Sequence, residues 1–546
     1  MRSLLFGLLL ASAHGLSRPD PRIRDVVVDA STVTGTLKNL QGTNACNTTA
    51  TEEIPIPLED LVPETAERWD SYGIKQVMIY VWPDVFTGWN KSGLAGDPTR
   101  NENYNWAEAD SLVRFVRSHG AIASIHFNPD NGMDDSVSSP DLLGEIGFMI
   151  ADRYMNNAYD SGFHDALDLF DFYPEQDLFA DRTSIYQTSF DYFAAFARGV
   201  ARANSTAGVG AWGSNRILHP QTNYTLDNPY ITQFYHDCHE QNVPIKAATY
   251  HFTNAQYSMD PYDIKRLTDA LRNDILIPAG WPDIPIWVTE FDQNPAGTLP
   301  TSPSALASYN DPAWFAGFTL GTSMYAQDTS LAQALPWTGF GYGGYGAGNA
   351  KFPAWFNDSS RVPAIPLNVA AAWKLQADLV VNTSTRVSVR GSSPDGFAVL
   401  AGRSESADVV QVLLNNYRVD YDIMREIAAQ MAPGLNTSTT AYPLIQSNGL
   451  LNGEQACLLS GTKVAVPVCQ TFIQASIRNN TSTGYKLRVV NLPWSKHSAY
   501  KVEVFRVGGT GAVSQLLYSQ TGKGTSYETT LPFPANAQDL VRITRK

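Results

Sequence analysis

The chain of 546 residues carries little charge and few cysteines for its length. Charged residues make up 17% and hydrophobic residues 43%, which is typical of folded globular proteins and excludes an intrinsically disordered chain. The net charge is −14, and lysine and arginine form no cluster able to track phosphates, so nucleic acid is not expected as a partner. The length is too great for one ordinary core and predicts two or three domains.

Long apolar runs are also missing. After the N-terminus no segment offers the roughly 18 uninterrupted apolar residues that a membrane helix needs, and no membrane partner is expected. The N-terminus itself resembles a secretory signal, with Arg2 ahead of the short apolar run Leu4–Leu10 and small residues for cleavage at Ala11–Ala13 or Ala13–Gly15. The sequence therefore predicts a secreted, soluble mature protein that follows a signal peptide of residues 1–15.

Only four cysteines occur, an even number that fits disulfides formed on an oxidising secretory route. Cys457 and Cys469 are expected to pair locally, and Cys46 with Cys238 across the first domain. Neither pair has the spacing of a metal site. Nine Asn-x-Ser/Thr sequons predict a glycoprotein. They begin at Asn47, Asn90, Asn204, Asn223, Asn357, Asn382, Asn436, Asn479 and Asn480.

Short strand-like runs alternate with longer helical patterns from about residue 27 to residue 380, an order that predicts βα units around a parallel sheet. Eight such strands fit a (β/α)8 barrel with insertions. A doubly wound sheet is the alternative, but no Gly-rich phosphate loop follows a first strand. The predicted strands are Leu40–Asn44, Gln76–Trp82, Ala121–Phe127, Ala166–Tyr173, Val209–Trp212, Ile245–His251, Ile284–Phe291 and Ala334–Phe340. The predicted helices are Trp106–Ser118, Ser184–Ala203, Ile231–Glu240, Pro261–Asn273, Asp311–Ala326 and Asn368–Asp378.

Beyond residue 380 the helical pattern nearly stops, and strands separated by Gly, Ser, Asn and Pro turns predict an all-β sandwich. Val26–Asp29 is expected to add a strand to it. The predicted domains are a barrel of residues 16–380 and a sandwich of residues 381–546, and no linker-like stretch separates them. The predicted strands of the sandwich are Arg386–Val389, Gly396–Ala401, Asp408–Leu414, Thr471–Ile477, Tyr485–Val490, Tyr500–Arg506 and Leu540–Thr544.

Two carboxylates stand at the ends of predicted barrel strands. The fourth strand runs into Glu175, and the seventh ends at Glu290 after mostly apolar residues. The C-terminal ends of barrel strands meet at one mouth, and a buried carboxylate is costly unless it has a use or a partner. A structural Glu290, paired with an arginine or capping the next helix, is the alternative. Two carboxyl groups about 5 Å apart would suit retaining glycoside hydrolysis, with one carboxyl ionised and the other protonated.

The residues around both glutamates resemble glycoside hydrolase family 39, which includes β-xylosidases and α-L-iduronidases. Phe170-Asp-Phe-Tyr-Pro-Glu175 is similar to its acid/base strand and Trp287-Val-Thr-Glu290 to its nucleophile strand. The resemblance implies a glycosidase of the barrel clan that acts on a carbohydrate substrate, with Glu290 as nucleophile and Glu175 as acid/base. It further implies that Trp337, His251, Tyr250, His126 and Asn128 bind the sugar. Trp82 is expected to supply a sugar contact at the end of the second strand, where the chain departs from the family pattern. No cofactor and no metal is expected.

The chain departs from the clan pattern at two places. Pro174 stands where an asparagine usually precedes the acid/base glutamate and holds the sugar 2-hydroxyl. The second strand ends in Trp82-Pro-Asp84 instead of the usual arginine and histidine. A lost hydrogen bond of this kind costs roughly 2–4 kcal/mol in the transition state. An exo-acting, β-xylosidase-like enzyme is therefore weighed against an endo-glycanase or transglycosylase of the same clan and against a barrel that binds glycan without cleaving it.

Several further residues have a structural and a functional interpretation. His236 and His239 could hold a metal but fit a solvated helix face better, and His126 and His251 could be ordinary core histidines. Trp89 and Trp212 could stack on sugar or lie in the core. Asp292 is expected to make a loop contact. The Gly- and Tyr-rich run Gly339–Gly348 fits a rim loop, because it lacks the Lys-Ser/Thr of a phosphate loop.

Overall fold

The computed structural model shows a parallel barrel followed by a β-module. It describes residues 22–46, 71–81, 97–127, 139–172, 186–214, 229–252, 260–291, 312–336, 356–357, 365–366, 368–418, 480–508 and 514–546. Within these ranges no helix is both long enough and apolar enough to cross a membrane.

Eight parallel strands form the barrel, each hydrogen-bonded to the next in chain order. The first and last strands also contact each other, so the sheet curls into a nearly closed barrel. This arrangement confirms the predicted (β/α)8 fold and excludes the doubly wound sheet. The strands are β2 (Gly42–Cys46), β3 (Gln76–Val81), β4 (Ile122–Phe127), β5 (Leu167–Phe172), β6 (Val209–Ser214), β7 (Ile245–Phe252), β8 (Ile286–Phe291) and β9 (Leu331–Pro336).

Helices cover the outside of the barrel and bury its outward-facing apolar residues in one large core. They are α1 (Ala107–Ser118), α2 (Pro140–Asn156), α3 (Tyr186–Ala203), α4 (Pro229–Glu240), α5 (Asp263–Ala270), α6 (Pro312–Ala326) and α7 (Asn368–Asn382). A π-helical turn, Leu271–Leu276, continues α5. Two short paired segments, β10 (Phe356–Asn357) and β11 (Ile365–Pro366), precede α7.

Helix α2 is absent from the sequence prediction. Its start is well marked, because the Ser139 side chain accepts a hydrogen bond from the Leu142 N–H and proline follows at the first position. Its interior contains Gly144 and Gly147, which lower helix propensity. Both glycines face α3, and a Cβ at Gly147 would lie 2.6 Å from the Phe196 carbonyl oxygen. The glycines therefore allow α2 to pack closely on α3. The same glycines weaken the helical pattern in the sequence.

The β-module is one mixed sheet of nine strands in the order β17-β16-β19-β14-β13-β12-β1-β15-β18. Only two residue pairs join β12 to β13, and strands from both sides of this junction share one apolar core. The sheet therefore folds over itself as a sandwich, as predicted. Its strands are β1 (Arg22–Thr36), β12 (Thr385–Arg390), β13 (Phe397–Arg403), β14 (Val409–Asn416), β15 (Ser482–Val490), β16 (Ala499–Val507), β17 (Gln515–Lys523), β18 (Tyr527–Pro532) and β19 (Gln538–Arg545).

The first strand of the chain lies inside this C-terminal sheet. Strand β1 pairs antiparallel with β12 and parallel with β15, with Val27 opposite Arg390 on one side and Arg488 on the other. The expected added strand at Val26–Asp29 is confirmed, and it extends over the fifteen residues of β1. Predicted strand Thr471–Ile477 lies outside the described residues, and β17 and β18 were not predicted.

The β-module packs directly on the barrel through α6 and α7. Apolar side chains of β13 and β14, among them Leu400 and Leu413, belong to the same buried cluster as Phe318 and Trp373 of these helices. The Asn415 amide donates to the Gly317 carbonyl oxygen at 2.8 Å. Barrel and module therefore share a continuous core rather than being connected by a flexible linker.

Cys238 is a free thiol buried in α4, so the predicted Cys46–Cys238 disulfide is wrong. Burial raises the pKa of this thiol well above its ordinary value. The physical reason is topological: α4 lies between β6 and β7, across the barrel from β2, which contains Cys46. The predicted Cys457–Cys469 pair and the N-terminal signal lie outside the described residues.

The described sequons differ in their accessibility. Asn382 is exposed and Asn204 is partly exposed, so both can be reached from solvent. Asn480 is fully buried, and its side-chain amide donates to the side-chain oxygen of Asn416. The folded chain therefore cannot carry a glycan at Asn480.

Candidate active site at the mouth of the barrel

Strand alternation builds two layers of side chains inside the barrel. A lower, apolar layer contains Met78, Leu169, Ala247, Trp287 and Leu335. Inward positions recur every two residues along a strand. The next inward residues towards the C-terminal ends of β5 and β7 are therefore Asp171 and Thr249, and the interior changes from apolar to polar towards the mouth.

Asp171 is the centre of the polar layer and is completely buried. One carboxylate oxygen, Oδ2, lies 2.9 Å from Nδ1 of His126, and the other, Oδ1, lies 3.0 Å from the Thr249 hydroxyl. The same hydroxyl oxygen accepts the Gly213 N–H at 2.8 Å. Asp171 thus ties together side chains or backbone from β4, β6 and β7.

The surroundings of Asp171 determine its ionisation. Burial alone would raise its pKa, because a charged carboxylate is poorly solvated there. The hydrogen bond from His126, the charge of that ring and the charge of His251 oppose this effect. Together with the Thr249 hydrogen bond they hold the pKa of Asp171 below its ordinary value of 3.8. The carboxylate is therefore ionised at neutral pH.

Glu290 lies at the C-terminal end of β8, where the pairing with β7 shifts register between Tyr250 and His251. Glu290 is 7% exposed, and its Oε2 lies 3.2 Å from Nδ1 of His251. The amide of Asn44 on β2 donates to the backbone oxygen of Thr289 at 2.9 Å and fixes the chain just before the glutamate. An almost buried carboxylate is thus held at the mouth, with an imidazole beside it.

The two imidazoles of the site lie close together, with the ring centroids of His126 and His251 6.1 Å apart. One ligand atom each from His126, Asp171 and His251 falls within 4.8 Å of the others, and this set could in principle hold a metal ion. The distances instead pair each imidazole with its own carboxylate, His126 with Asp171 and His251 with Glu290. This pairing supports an electrostatic cluster of hydrogen-bonded residues.

The structure brings together three of the residues singled out in the sequence: His126, His251 and Glu290. Tyr250 is not part of the cluster. It points outward into the main core, where its hydroxyl lies 2.9 Å from the Thr268 hydroxyl on α5. Four further candidates lie outside the described residues. They are the proposed acid/base Glu175 and the proposed sugar contacts Trp337, Asn128 and Trp82.

Other candidates have structural roles. Trp212 lies in the core, with its ring 4.1 Å from that of Phe234. His236 is exposed and lies near Asp237 and Glu240, whereas His239 packs edge-on against Trp281. The two histidines therefore face different surroundings and do not form a paired site. Trp89, Asp292 and Gly339–Gly348 lie outside the described residues.

Sequence reasoning missed Asp171, Thr249 and Asn44. Asp171 lies in the Phe170–Glu175 segment that resembles the acid/base strand, and Thr249 lies in the predicted strand Ile245–His251, two residues before His251. The alternation of β5 and β7 could have indicated them, because a polar residue at an inward position of a barrel strand requires a partner. Asn44 had no such signal, since its contact with Thr289 depends on how the barrel closes.

Comparisons with known proteins agree with this architecture. No protein-family model and no curated protein matches the chain. A glucosidase from Croceicoccus marinus matches with a TM-score of 0.70 and 19% identity, over 96% of this chain and 100% of its own. The GH39 enzyme from Xanthomonas axonopodis pv. citri matches with a TM-score of 0.60 and 12% identity, over 97% and 100%. A monomeric β-xylosidase from Caulobacter crescentus CB15 matches with a TM-score of 0.57 and 13% identity, over 95% and 99%.

The chain therefore has the fold of barrel glycosidases that carry a β-domain. The resemblance to glycoside hydrolase family 39 and its clan is confirmed at the level of the fold, and the match covers both the barrel and the β-module. At these identities the likeness establishes the fold alone.

Proposed function

We propose that this chain is a secreted retaining glycoside hydrolase that cleaves O-glycosidic bonds of oligo- or polysaccharides. The observation that carries the proposal is the position of Glu290. It is a nearly buried carboxylate, paired with His251, at the C-terminal end of the seventh strand of a barrel whose structural relatives are glycosidases. The mouth formed by the C-terminal strand ends is where barrel enzymes carry their chemistry.

The proposed reaction is a double displacement. Glu290 attacks the anomeric carbon as Glu175 gives its proton to the departing glycosidic oxygen, which breaks the sugar–oxygen bond and leaves a glycosyl ester on Glu290. Glu175 then takes a proton from water, whose oxygen attacks the same carbon and releases Glu290. Each carboxyl therefore needs a different protonation state at the start, which surroundings of opposite character can supply.

The assignment of Glu175 rests on its place in the sequence. Strand β5 ends at Phe172, and Glu175 follows three residues later in the chain. Because β5 and β8 belong to one parallel barrel, their C-terminal ends open on the same side. This spacing supports a glutamate opposite Glu290 across the mouth.

The substrate class follows from the resemblance. We propose exo-action on a β-xyloside, since the family 39 resemblance covers most of the mature chain and one structural neighbour is a β-xylosidase. We propose that His126 and His251, in the polar layer that forms the floor of the mouth, contact the sugar together with Trp82 and Asn128. The resemblance implies that Trp337 lies under the sugar ring. Endo-action on a longer chain is the alternative within the same reaction.

A barrel that binds glycan without cleaving it is a second candidate function. Pro174 favours it, because proline has no side-chain amide with which to hold the sugar 2-hydroxyl in the transition state. The pairing of Glu290 with His251 favours hydrolysis instead, since it maintains a carboxylate at the mouth.

The test is release of chromophore from a panel of aryl glycosides by the secreted protein. We expect one glycoside to be cleaved, and Glu290→Ala to lower kcat by a factor on the order of 10³ or more. Sodium azide should restore turnover of Glu290→Ala, because the small anion can attack the anomeric carbon in the space that the carboxylate left. Glu175→Ala should spare substrates with highly acidic leaving groups, which need no proton.

Glu145→Gln is the matched control, because Glu145 lies on α2 in an exposed ion pair with Arg202. It should behave as the wild type. A folded wild type that cleaves no glycoside but binds oligosaccharide by calorimetry would replace the enzyme by the glycan-binding barrel. Full activity in Glu290→Ala would show that the site lies elsewhere.

Secretion is proposed from the N-terminal sequence. Expression of the full chain in a eukaryotic host should yield protein in the medium whose N-terminus begins near residue 16. Sequencing of that N-terminus checks the cleavage site, and retention of an intact Met1 chain inside the cell would contradict the proposal.

A further inference from the structure

Asp171 has no part in the proposed double displacement, yet it is more deeply buried than Glu290, the other carboxylate of the site within the described residues. Its two oxygens contact His126 and Thr249, and among the described residues it forms no ion pair with arginine or lysine. An ionised carboxylate in such a place needs positive charge nearby, because burial removes its hydration. The histidines of the floor are the groups that can supply it.

His251 lies between two carboxylates. Its Nδ1 is 3.2 Å from Oε2 of Glu290, and one of its ring nitrogens lies within 4.8 Å of an oxygen of Asp171. A neighbouring carboxylate favours the protonated form of an imidazole. Asp171 beside His126 and Glu290 beside His251 therefore each favour the extra proton on the neighbouring ring.

We propose that Asp171 is a positioning residue of the glycosidase site. It orients His126 and stabilises positive charge on the His126–His251 pair. This positive charge in turn stabilises the ionised form of Glu290. The role assigned to Glu290 rests on the proposed function. The charge on the two imidazoles is a property of the folded protein and can be measured without turnover.

Among the described residues two carboxylates contact this pair: Asp171 on β5 lies beside His126, and Glu290 on β8 lies beside His251. Asp171 also contacts the hydroxyl of Thr249 on β7. The Thr249 hydroxyl and the Gly213 N–H are neutral. Among the described residues the charge balance of the floor therefore lies between the two carboxylates and the two imidazoles.

The consequence for the chemistry is a separation of roles. Glu290 faces an imidazolium, which favours its ionised form and suits a nucleophile. A glutamate without such a neighbour would retain its proton to higher pH and suit the acid/base role. Asp171 would thus act on the reaction through His126 and His251, without touching the sugar.

The first experiment follows the protonation of the imidazoles by nuclear magnetic resonance. The nine histidines are labelled at Cε1, and His126→Gln and His251→Gln identify the two signals by their loss. We expect at least one of them to titrate above the ordinary histidine pKa of about 6.5. Two rings that are both neutral at pH 7 would overturn the proposal without any further variant.

Asp171→Asn is the decisive variant, because it retains the shape of the side chain and removes its charge. The elevated titration should move to lower pH by about one unit or more. The matched control is Asp168→Asn on the same strand, whose carboxylate faces outward and pairs with Lys246 at 2.9 Å. It should leave both signals unchanged. An unchanged titration in folded Asp171→Asn would also overturn the proposal.

Turnover supplies the second readout. In Asp171→Asn the acid limb of kcat/KM should shift to higher pH, because loss of the imidazolium 3.2 Å from Glu290 disfavours the ionised carboxylate. Asp168→Asn should retain the wild-type profile. If the wild type cleaves no glycoside, the proposed function fails, while the titration still decides whether Asp171 retains charge on the imidazoles. A shifted titration with an unshifted profile would overturn the positioning role.

Discussion

Gly210 on β6 illustrates how single positions are constrained around the buried floor. A Cβ there would lie 2.7 Å from Cγ2 of Thr249 and 2.8 Å from Oδ1 of Asp171. Both side chains belong to the hydrogen-bonded network through Asp171 Oδ1 and the Thr249 hydroxyl, so neither can move away without disturbing it. Glycine is therefore required at position 210 because the side chains of Thr249 and Asp171 lie close to its backbone. A substitution at this position tests how tightly the floor is packed.

We predict that Gly210→Ala lowers the free energy of unfolding by about 1–3 kcal/mol, as expected for an overpacked core. Urea unfolding monitored by tryptophan fluorescence measures this loss. Adding Thr249→Ser, which removes Cγ2 and retains the hydroxyl, should recover part of it. A Gly210→Ala protein as stable as the wild type would show that the floor is loosely packed.

A second prediction at this scale concerns acid. The pKa of Asp171 is held below 3.8 in the folded protein, so its ionisation stabilises the fold above that pH and the contribution is lost as the pH falls through the lower folded value. The difference in unfolding free energy between the wild type and Asp171→Asn should therefore be present above about pH 4, as long as the proposed charge on the two histidines persists in the folded protein, and should shrink below about pH 4. Urea titrations at several pH values measure it.

Asp168→Asn again serves as control, because exposed ion pairs contribute little. Its difference from the wild type should be small at every pH. A difference for Asp171→Asn that grows as the pH falls below about 4 would mean that the carboxyl is already protonated in the folded protein.

Sequence reasoning placed Glu290, His126 and His251 at the mouth of the barrel because each ends or nearly ends a recognisable strand, and the roles assigned to them stay predictions. It failed for Tyr250, which neighbours His251 but faces the opposite side of β7. A one-residue error in strand register transfers a side chain from the mouth to the core. Bulges such as the one before Glu290 make that register unreadable from alternation alone.

Helices α2 and α3 cross at their glycines. A Cβ at Gly199 of α3 would lie 2.0 Å from the carbonyl oxygen of Gly144 on α2, a backbone atom that cannot rotate away. Helix propensity by itself favours alanine over glycine by about 1 kcal/mol. Packing and propensity therefore predict opposite signs for the same substitution.

We predict that packing dominates and that Gly199→Ala lowers the midpoint of urea unfolding. Gly144→Ala is the matched control, since its Cβ would lie 3.3 Å from the Ala195 carbonyl oxygen, a contact that small shifts relieve. It should cost less than Gly199→Ala. An increase in stability for Gly199→Ala would show that the two helices separate easily.

Helices and strands could be predicted where the local hydrophobic pattern alone determined the element. Barrel strands are continuous apolar runs because both faces are buried, and all eight were recognised to within a few residues. Strand β17 is mostly exposed and lacks the alternation that marks a half-buried strand. Helix α2 contains glycines that lower its helix propensity but allow close contact with α3. In these cases the signal is weak because the tertiary contact, rather than the local sequence, selects the element.

The molecule as a whole depends on the interface between barrel and β-module. The module covers α6 and α7, whose buried residues include Trp314 and Trp373. We predict that a chain truncated to residues 1–380 is insoluble, because it would expose this apolar surface and leave β1 without β12 and β15. Expression followed by size-exclusion chromatography and circular dichroism tests it. A soluble truncated barrel that retains glycosidase activity would contradict this prediction.

The position of β1 has a consequence for how the protein is made. This strand is synthesised first, but its two neighbours follow only at residues 385–390 and 482–490. During translation β1 therefore stays unpaired with β12 and β15 until the barrel residues between them have been synthesised. Pairings between such distant parts of a chain are slow to form. The insertion of β1 between β12 and β15 is therefore expected to be a late step of folding.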